Sequence, residues 1–170
     1  MKNQFFGVAS VLALLAAGPA LADDNVNVSH IDQVGIGLSA NIVQTGEDNQ
    51  NTADIDQGMN SPGDTLDAKI FQHAANNISE GIIKQDGKNQ KAEIDQAGAG
   101  TESYALIKQS GQNQTAKVLQ NGTDNDHETE IFQKGVGPNS VDLNQGGMSS
   151  SNTAGISQDG SNISAVVVQN

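Results

Sequence analysis

The chain has no cysteine and no tryptophan, three prolines, and five phenylalanine or tyrosine residues among 170. Without cysteine no disulfide can hold it together, so cohesion must come from elsewhere. With so few aromatics, a conventional core built on large rings is excluded. Positive charge is scarce too: eight lysines and no arginine stand against 20 carboxylates, a net charge of −12. That balance argues against nucleic-acid binding and against adhesion to an acidic membrane surface. Only one long apolar run exists, from Phe5 to Ala17. It is short of the roughly 20 residues that span a bilayer, so membrane insertion is not expected. With Lys2 before it and Ala20-Leu21-Ala22 after it, residues 1–22 read as a secretory signal peptide, followed by a short segment 23–26. The mature chain is expected outside the cell.

What is abundant is Gln, Asn, Gly and Ser, a composition that alone suggests disorder. The order of the residues overturns that reading. Twelve glutamines recur: Gln33, Gln44, Gln57, Gln72, Gln85, Gln96, Gln109, Gln120, Gln133, Gln145, Gln158 and Gln169. They are 11 to 15 residues apart, and every second one repeats after 24 to 28. Such a period marks a repeat architecture whose units are too small to bury a core alone.

Two positions before each of these glutamines the residue is always Ile, Leu or Val, from Ile31 and Ile42 to Ile156 and Val167. Four positions before, it is Ser, Gly or Ala except at Thr129 and Val141; six before, it is Asn, Ser, Gln, His, Leu or Ile. None of the 48 aligned positions on this period-two face holds Asp, Glu or Lys, whereas Asp54, Asp56, Lys84, Glu93, Lys108 and Glu128 fall between them. The uncharged face is therefore the inner face of a strand. Turn residues follow, with glycine two places after nine of the glutamines, as in Gln109-Ser110-Gly111. Seven-residue strands alternating with turns of about four residues are expected, and Pro62 and Pro138 should lie outside strands.

The expected fold is all-β: a β-solenoid of six two-strand rungs forming two parallel in-register sheets, cross-β and amyloid-like. The rungs correspond to repeats 27–50, 51–78, 79–102, 103–126, 127–151 and 152–170. At about 4.8 Å per rung the column is roughly 29 Å tall. An isolated buried glutamine is costly, but glutamines stacked on their own kind can hydrogen-bond as ladders.

The residues Ser103-Tyr104-Ala105-Leu106-Ile107-Lys108-Gln109, continuing through Gly111 and Asn113 to Gln120, resemble the curlin repeat of curli fibre subunits, Ser-x5-Gln-x-Gly-x2-Asn-x5-Gln. In Gln109-Ser110-Gly111-Gln112-Asn113 the asparagine comes one place early. Ala92-Glu93-Ile94-Asp95-Gln96-Ala97-Gly98 is similar to the minor, nucleating subunit of that family. The resemblance implies secretion through an outer-membrane pore, a nucleating or major partner subunit, and assembly with itself into a surface fibre for biofilm matrix and adhesion. The chain departs from the family in its sixth rung and its very short leader segment.

No catalytic, cofactor or metal site is expected. Asp124-Asn125-Asp126-His127-Glu128 lacks the glycine and terminal glutamate of a calcium loop, and His30, His73 and His127 occupy no common position. The alternative to a fibre is a monomeric β-solenoid serving as an adhesin or ligand-binding module, which would need capped ends. The end rungs instead match one another. Asn27, Ile31, Leu38 and Ile42 correspond to Asn152, Ile156, Ile163 and Val167, which suggests head-to-tail stacking.

Overall fold

The computed structural model describes residues 26–170 except 36, 47–48, 59–64, 76–77, 101, 125 and 149–150. The signal-peptide assignment, residues 23–25 and Pro62 lie outside the described residues. The elements are β1 (Val26–Val34), β2 (Leu38–Thr45), β3 (Gln50–Gly58), β4 (Leu66–Ala75), β5 (Ile78–Lys88), β6 (Gln90–Ala99), β7 (Glu102–Thr123), β8 (Asp126–Gln145), β9 (Ser151–Asp159) and β10 (Ser164–Gln169).

The fold is the expected β-solenoid of parallel, in-register sheets. One sheet stacks β1, β3, β5, the first halves of β7 and β8, and β9. The other stacks β2, β4, β6, the second halves of β7 and β8, and β10. Six rungs are thus separated by five stacking steps. The register follows from the period-two pattern: sliding a strand by one residue would turn its charged face inward. Isoleucine therefore stacks on isoleucine through Ile31, Ile55, Ile83, Ile107, Ile131 and Ile156.

Between the sheets lies a thin core of alternating small and branched residues. Ala53, Ile55, Ala68, Ile70, Ile83, Ala92, Ile94, Ala105, Ile107 and Val118 are all at most 1% exposed. In the first rung, Ser29 and Asn27 are exposed although they sit on the inner face. A terminal rung has only one neighbour to cover it.

The corners differ from the expected four-residue turns. In β7 and β8 the ladder continues around the corner, pairing Ser110 with Lys134, Gly111 with Gly135 and Gln112 with Val136. Rungs four and five are therefore bent ribbons, whereas each of the other four rungs is made of two separate strands. Pro138 lies inside β8, contrary to the expectation, but it occupies the register shift between Gln112 and Gln114, where it has no ladder partner. Proline's missing N–H costs nothing there. The corners after the first sheet in rungs three to six depend on glycine. Gly87, Gly111, Gly135 and Gly160 have φ of 137°, 127°, 122° and 132°. They also stack so closely that a Cβ on Gly111 would stand 1.9 Å from the Gly135 carbonyl oxygen.

Candidate functional site: glutamine ladders and the two end rungs

The alternation places all twelve recurrent glutamines on the inner face, where they form two complete ladders. In the first sheet, Nε2 of Gln33 donates to Oε1 of Gln57 at 2.6 Å, and the chain continues through Gln85, Gln109, Gln133 and Gln158 at 2.7–2.9 Å. In the second sheet, Gln44, Gln72, Gln96, Gln120, Gln145 and Gln169 are joined in the same way at 2.8–3.0 Å. Gln57, Gln72, Gln96, Gln120 and Gln145 are fully buried. Each ladder bond is worth about 1 kcal/mol net, but breaking one strands a buried amide at greater cost.

In every ladder glutamine except Gln33, an amide N–H crosses the core. Gln57, Gln109 and Gln133 donate to the backbone carbonyls of Ser39, Lys91 and Thr115, all at 3.1 Å. Gln96 donates to Glu80 and Ser103, each at 3.1 Å. First-sheet glutamines thus reach back to the preceding rung of the second sheet, and second-sheet glutamines reach their own and the following rung of the first. The sheets are staggered and stapled together.

These carbonyls also fix the direction of the ladders. Exchanging the oxygen and nitrogen of any amide would set Oε1 against a carbonyl oxygen. All ten ladder bonds accordingly run one way, each rung donating to the next toward the carboxy-terminal end.

This polarity makes the two ends different. At the first rung, Gln33 has its bond to Gln57 but, among the described residues, no cross-sheet carbonyl. The corresponding carbonyl positions elsewhere are those of Ser39, Asp67, Lys91, Thr115 and Ser140. By the repeat, the next in that series is Ser164, in the sixth rung. At that rung, Gln158 and Gln169 bond to the Ser140 and Thr153 carbonyls, and each keeps one N–H facing along the column. The other residues expected at the ends, Asn27, Ile31, Leu38, Ile42, Asn152, Ile156, Ile163 and Val167, lie on the inner face or its edge. Leu38 stacks on Leu66, and Ile163 donates its N–H to Asn139 Oδ1 at 3.1 Å.

The turn-forming role of three asparagines was not anticipated, whereas Gln90, Gln114 and Asn139 are buried on the inner face, as their place six before a ladder glutamine implies. Asn89, Asn113 and Asn162 have φ of 50°, 56° and 61°, turning the chain where it enters the second sheet. Asn89 donates to Asn113 at 3.2 Å. The 24-residue spacing of Asn89 and Asn113 was a usable signal. Gln90, Gln114 and Asn139 fill the corners and donate to the carbonyls of Asp86, Ser110 and Gly160 at 3.1 Å.

The three histidines are dispersed, and among the described residues no group of three or more His, Asp or Glu is arranged to hold a metal ion. His30 is exposed and pairs with Asp54 at 2.9 Å, which raises its pKa above 6.5. His127 is 3% exposed between Ser103 and Asn152, and burial lowers its pKa. Neither of its ring nitrogens joins a hydrogen-bonded ladder, so it fills the inner position without extending one. The two should therefore act oppositely. The His30 contribution is present below pH 6.5 and fades as pH rises through its folded-state pKa. The His127 contribution is present above pH 6.5 and fades as pH falls toward its lowered value. An NMR titration should find His30 titrating above His127, and Asp54→Asn should bring only His30 down. The reverse order would contradict the assignment.

Comparison with known proteins found no family model, no curated protein and no solved structure that matches the chain.

Proposed function

We propose that the chain is a secreted structural subunit that stacks head-to-tail into an extracellular, curli-like amyloid fibre. The observation that supports this most is the complementarity of the end rungs. The amino-terminal end offers amide oxygens and lacks one acceptor for Gln33, while the carboxy-terminal end offers amide N–H groups and the Ser164 carbonyl. Stacking rung six of one copy on rung one of the next continues both ladders. It also supplies Gln33 with its missing acceptor and aligns Ile156 with Ile31 and Val167 with Ile42. A head-to-head joint would set amide oxygen against amide oxygen. The contact is heterologous and does not close, so it propagates as a filament. The exposed strand edges act as templates rather than defects.

The curlin resemblance adds the setting: export through an outer-membrane pore, nucleation by or of a second subunit, and a role in biofilm matrix and adhesion. The ladders are a structural device and no reaction is assigned to them.

Purified mature protein should form unbranched fibres with reflections near 4.8 Å and 10 Å. In the head-to-tail register, exposed His30 of one copy neighbours exposed Gly155 of another at about 4.8 Å, within disulfide range. Oxidised fibres made from mixed His30→Cys and Gly155→Cys proteins should yield mainly mixed dimers. Like-with-like dimers would show head-to-head joining, and a persistently soluble monomer would sink the fibre reading.

A further inference from the structure

The outer faces of the two sheets carry charge in different ways. On the second sheet opposite charges are neighbours: Lys117 pairs with Glu93 at 3.1 Å and Lys69 with Asp67 at 3.6 Å. On the first sheet, in rungs three to five, they are largely segregated, with Asp86 at a strand end and Glu130 in the middle column as the exceptions. Glu80, Glu102, Asp126 and Glu128 lie near the strand starts, and Lys84, Lys108 and Lys134 near the strand ends. Among the described residues, none of these seven forms an ion pair. Between the bands lie the outward side chains of Ile82 and Leu106, while Tyr104 stands in the acidic column between Glu80 and Glu128, and Phe132, 39% exposed, stands in the lysine column beside Lys108. Each band has its own groove. One of about 370 Å³ is lined by Glu80, Glu102, Tyr104, Asp126 and Glu128, and another of about 390 Å³ is lined by Lys84 and Lys108 with Asp56 and Asp86.

From this banding we infer that two fibres pair side by side, first sheet against first sheet, with a two-fold axis parallel to the fibre running along the Ile82–Leu106 row. The second copy of the chain is the occupant because the face is complementary to itself. A rotation about that axis reverses strand direction and keeps each rung opposite its own number. Residues equidistant from the row then meet. Glu80 faces Lys84 of the second copy, Tyr104 faces Lys108 and Asp126 faces Lys134, while Ile82 and Leu106 meet themselves. Two sheets at the usual separation of about 10 Å bring such side chains into contact. The Tyr104–Lys108 pairing places an ammonium against an aromatic ring.

The unfavourable positions on the axis are Asp54 and Glu130, each meeting its own kind. Asp54 is already paired with His30, and Glu130 lies one rung from Lys108 of the second copy. Individual surface ion pairs are weak, but a fibre repeats this patch in every subunit, so many contacts act together.

This pairing rests on the fibre reading, and the test separates the two. Leu106 recurs within one fibre only every six rungs, about 29 Å, beyond the reach of a short bismaleimide. Leu106→Cys fibres treated with that reagent should therefore give covalent dimers only where fibres are paired, and Thr115→Cys, on the outer face of the second sheet, should give few. Lys84→Glu with Lys134→Glu should cut the Leu106→Cys dimer yield about fivefold or more. Adding Glu80→Lys and Asp126→Lys should restore it, with paired filaments returning in electron micrographs. Fibres that keep the 4.8 Å reflection but give no dimers at Leu106, or equal yields at Thr115, overturn the pairing alone. So does a yield indifferent to charge reversal. Absence of the reflection from the parent protein overturns both.

Discussion

Replacing Gln109 and Gln120 by glutamate is expected to abolish assembly and unfold the middle of the column. Gln109 donates to Gln133 at 2.8 Å and to the Lys91 carbonyl at 3.1 Å, and Gln120 donates to Gln145 and Tyr104 at 3.0 Å. Glutamate keeps the shape but puts an oxygen where the amide nitrogen stood. Five acceptors, Thr129 Oγ1 among them, lose a donor, and a carboxylate is buried unless it takes up a proton. The combined penalty is on the order of 5 kcal/mol, comparable to the whole stability of a small domain. Lys108→Glu and Lys117→Glu should cost about 1 kcal/mol or less between them, because both lysines are exposed and only Lys117 has a partner, Glu93. Guanidinium unfolding and thioflavin lag times compare the two double variants. Equal effects would mean that the ladders do not hold the rungs together.

The second large effect is expected at a corner. Gly111→Ala should destabilise the column by roughly 3 kcal/mol or more. A methyl group there meets the Gly135 carbonyl oxygen at 1.9 Å, in a backbone conformation of φ 127° that L side chains rarely adopt. Neighbouring Gly87 and Gly135 sit in the same column, so the strain cannot be relieved by moving one rung. Faster hydrogen exchange at residues 110–112 and 134–136 should accompany the loss. Gly155→Ala is the matched control. It lies mid-strand with nothing within 4 Å of its added Cβ, and should be neutral or slightly stabilising. If Gly111→Ala unfolds within about 0.5 kcal/mol of the parent, the glycine column is not what shapes the corner.

Much of this architecture was legible from order alone. The absence of any charged residue from the aligned positions that include Ile31, Ala53 and Gln57 identified the inner face. The glutamine spacings identified the rungs and, with them, the register in which Gln85 meets Gln109. Alternation and repetition are local properties of a chain, and a stack of like on like carries them directly into three dimensions. The corners were less legible. Seven-residue strands with separate turns gave way to ladders running through Gly111 and Gly135, and Pro138 proved to lie within β8 at a register shift. A glycine announces that the chain turns, but whether pairing survives the turn depends on the rung beneath it.

The sequence by itself determined the repeat, the buried face and the identity of every ladder residue, because each is set by residue type at a fixed spacing. Only the tertiary structure decided the direction of the ladders. That direction depends on the Ser39, Lys91 and Thr115 carbonyls across the core, backbone atoms that carry no side-chain signature. The stagger of the two sheets was decided in the same way. So was the contrast between the second sheet, where Lys69 and Lys117 find carboxylates, and rungs three to five of the first, where Lys84, Lys108 and Lys134 stand apart from them. Which outward residues become neighbours depends on how the rungs stack, and no single strand contains that information.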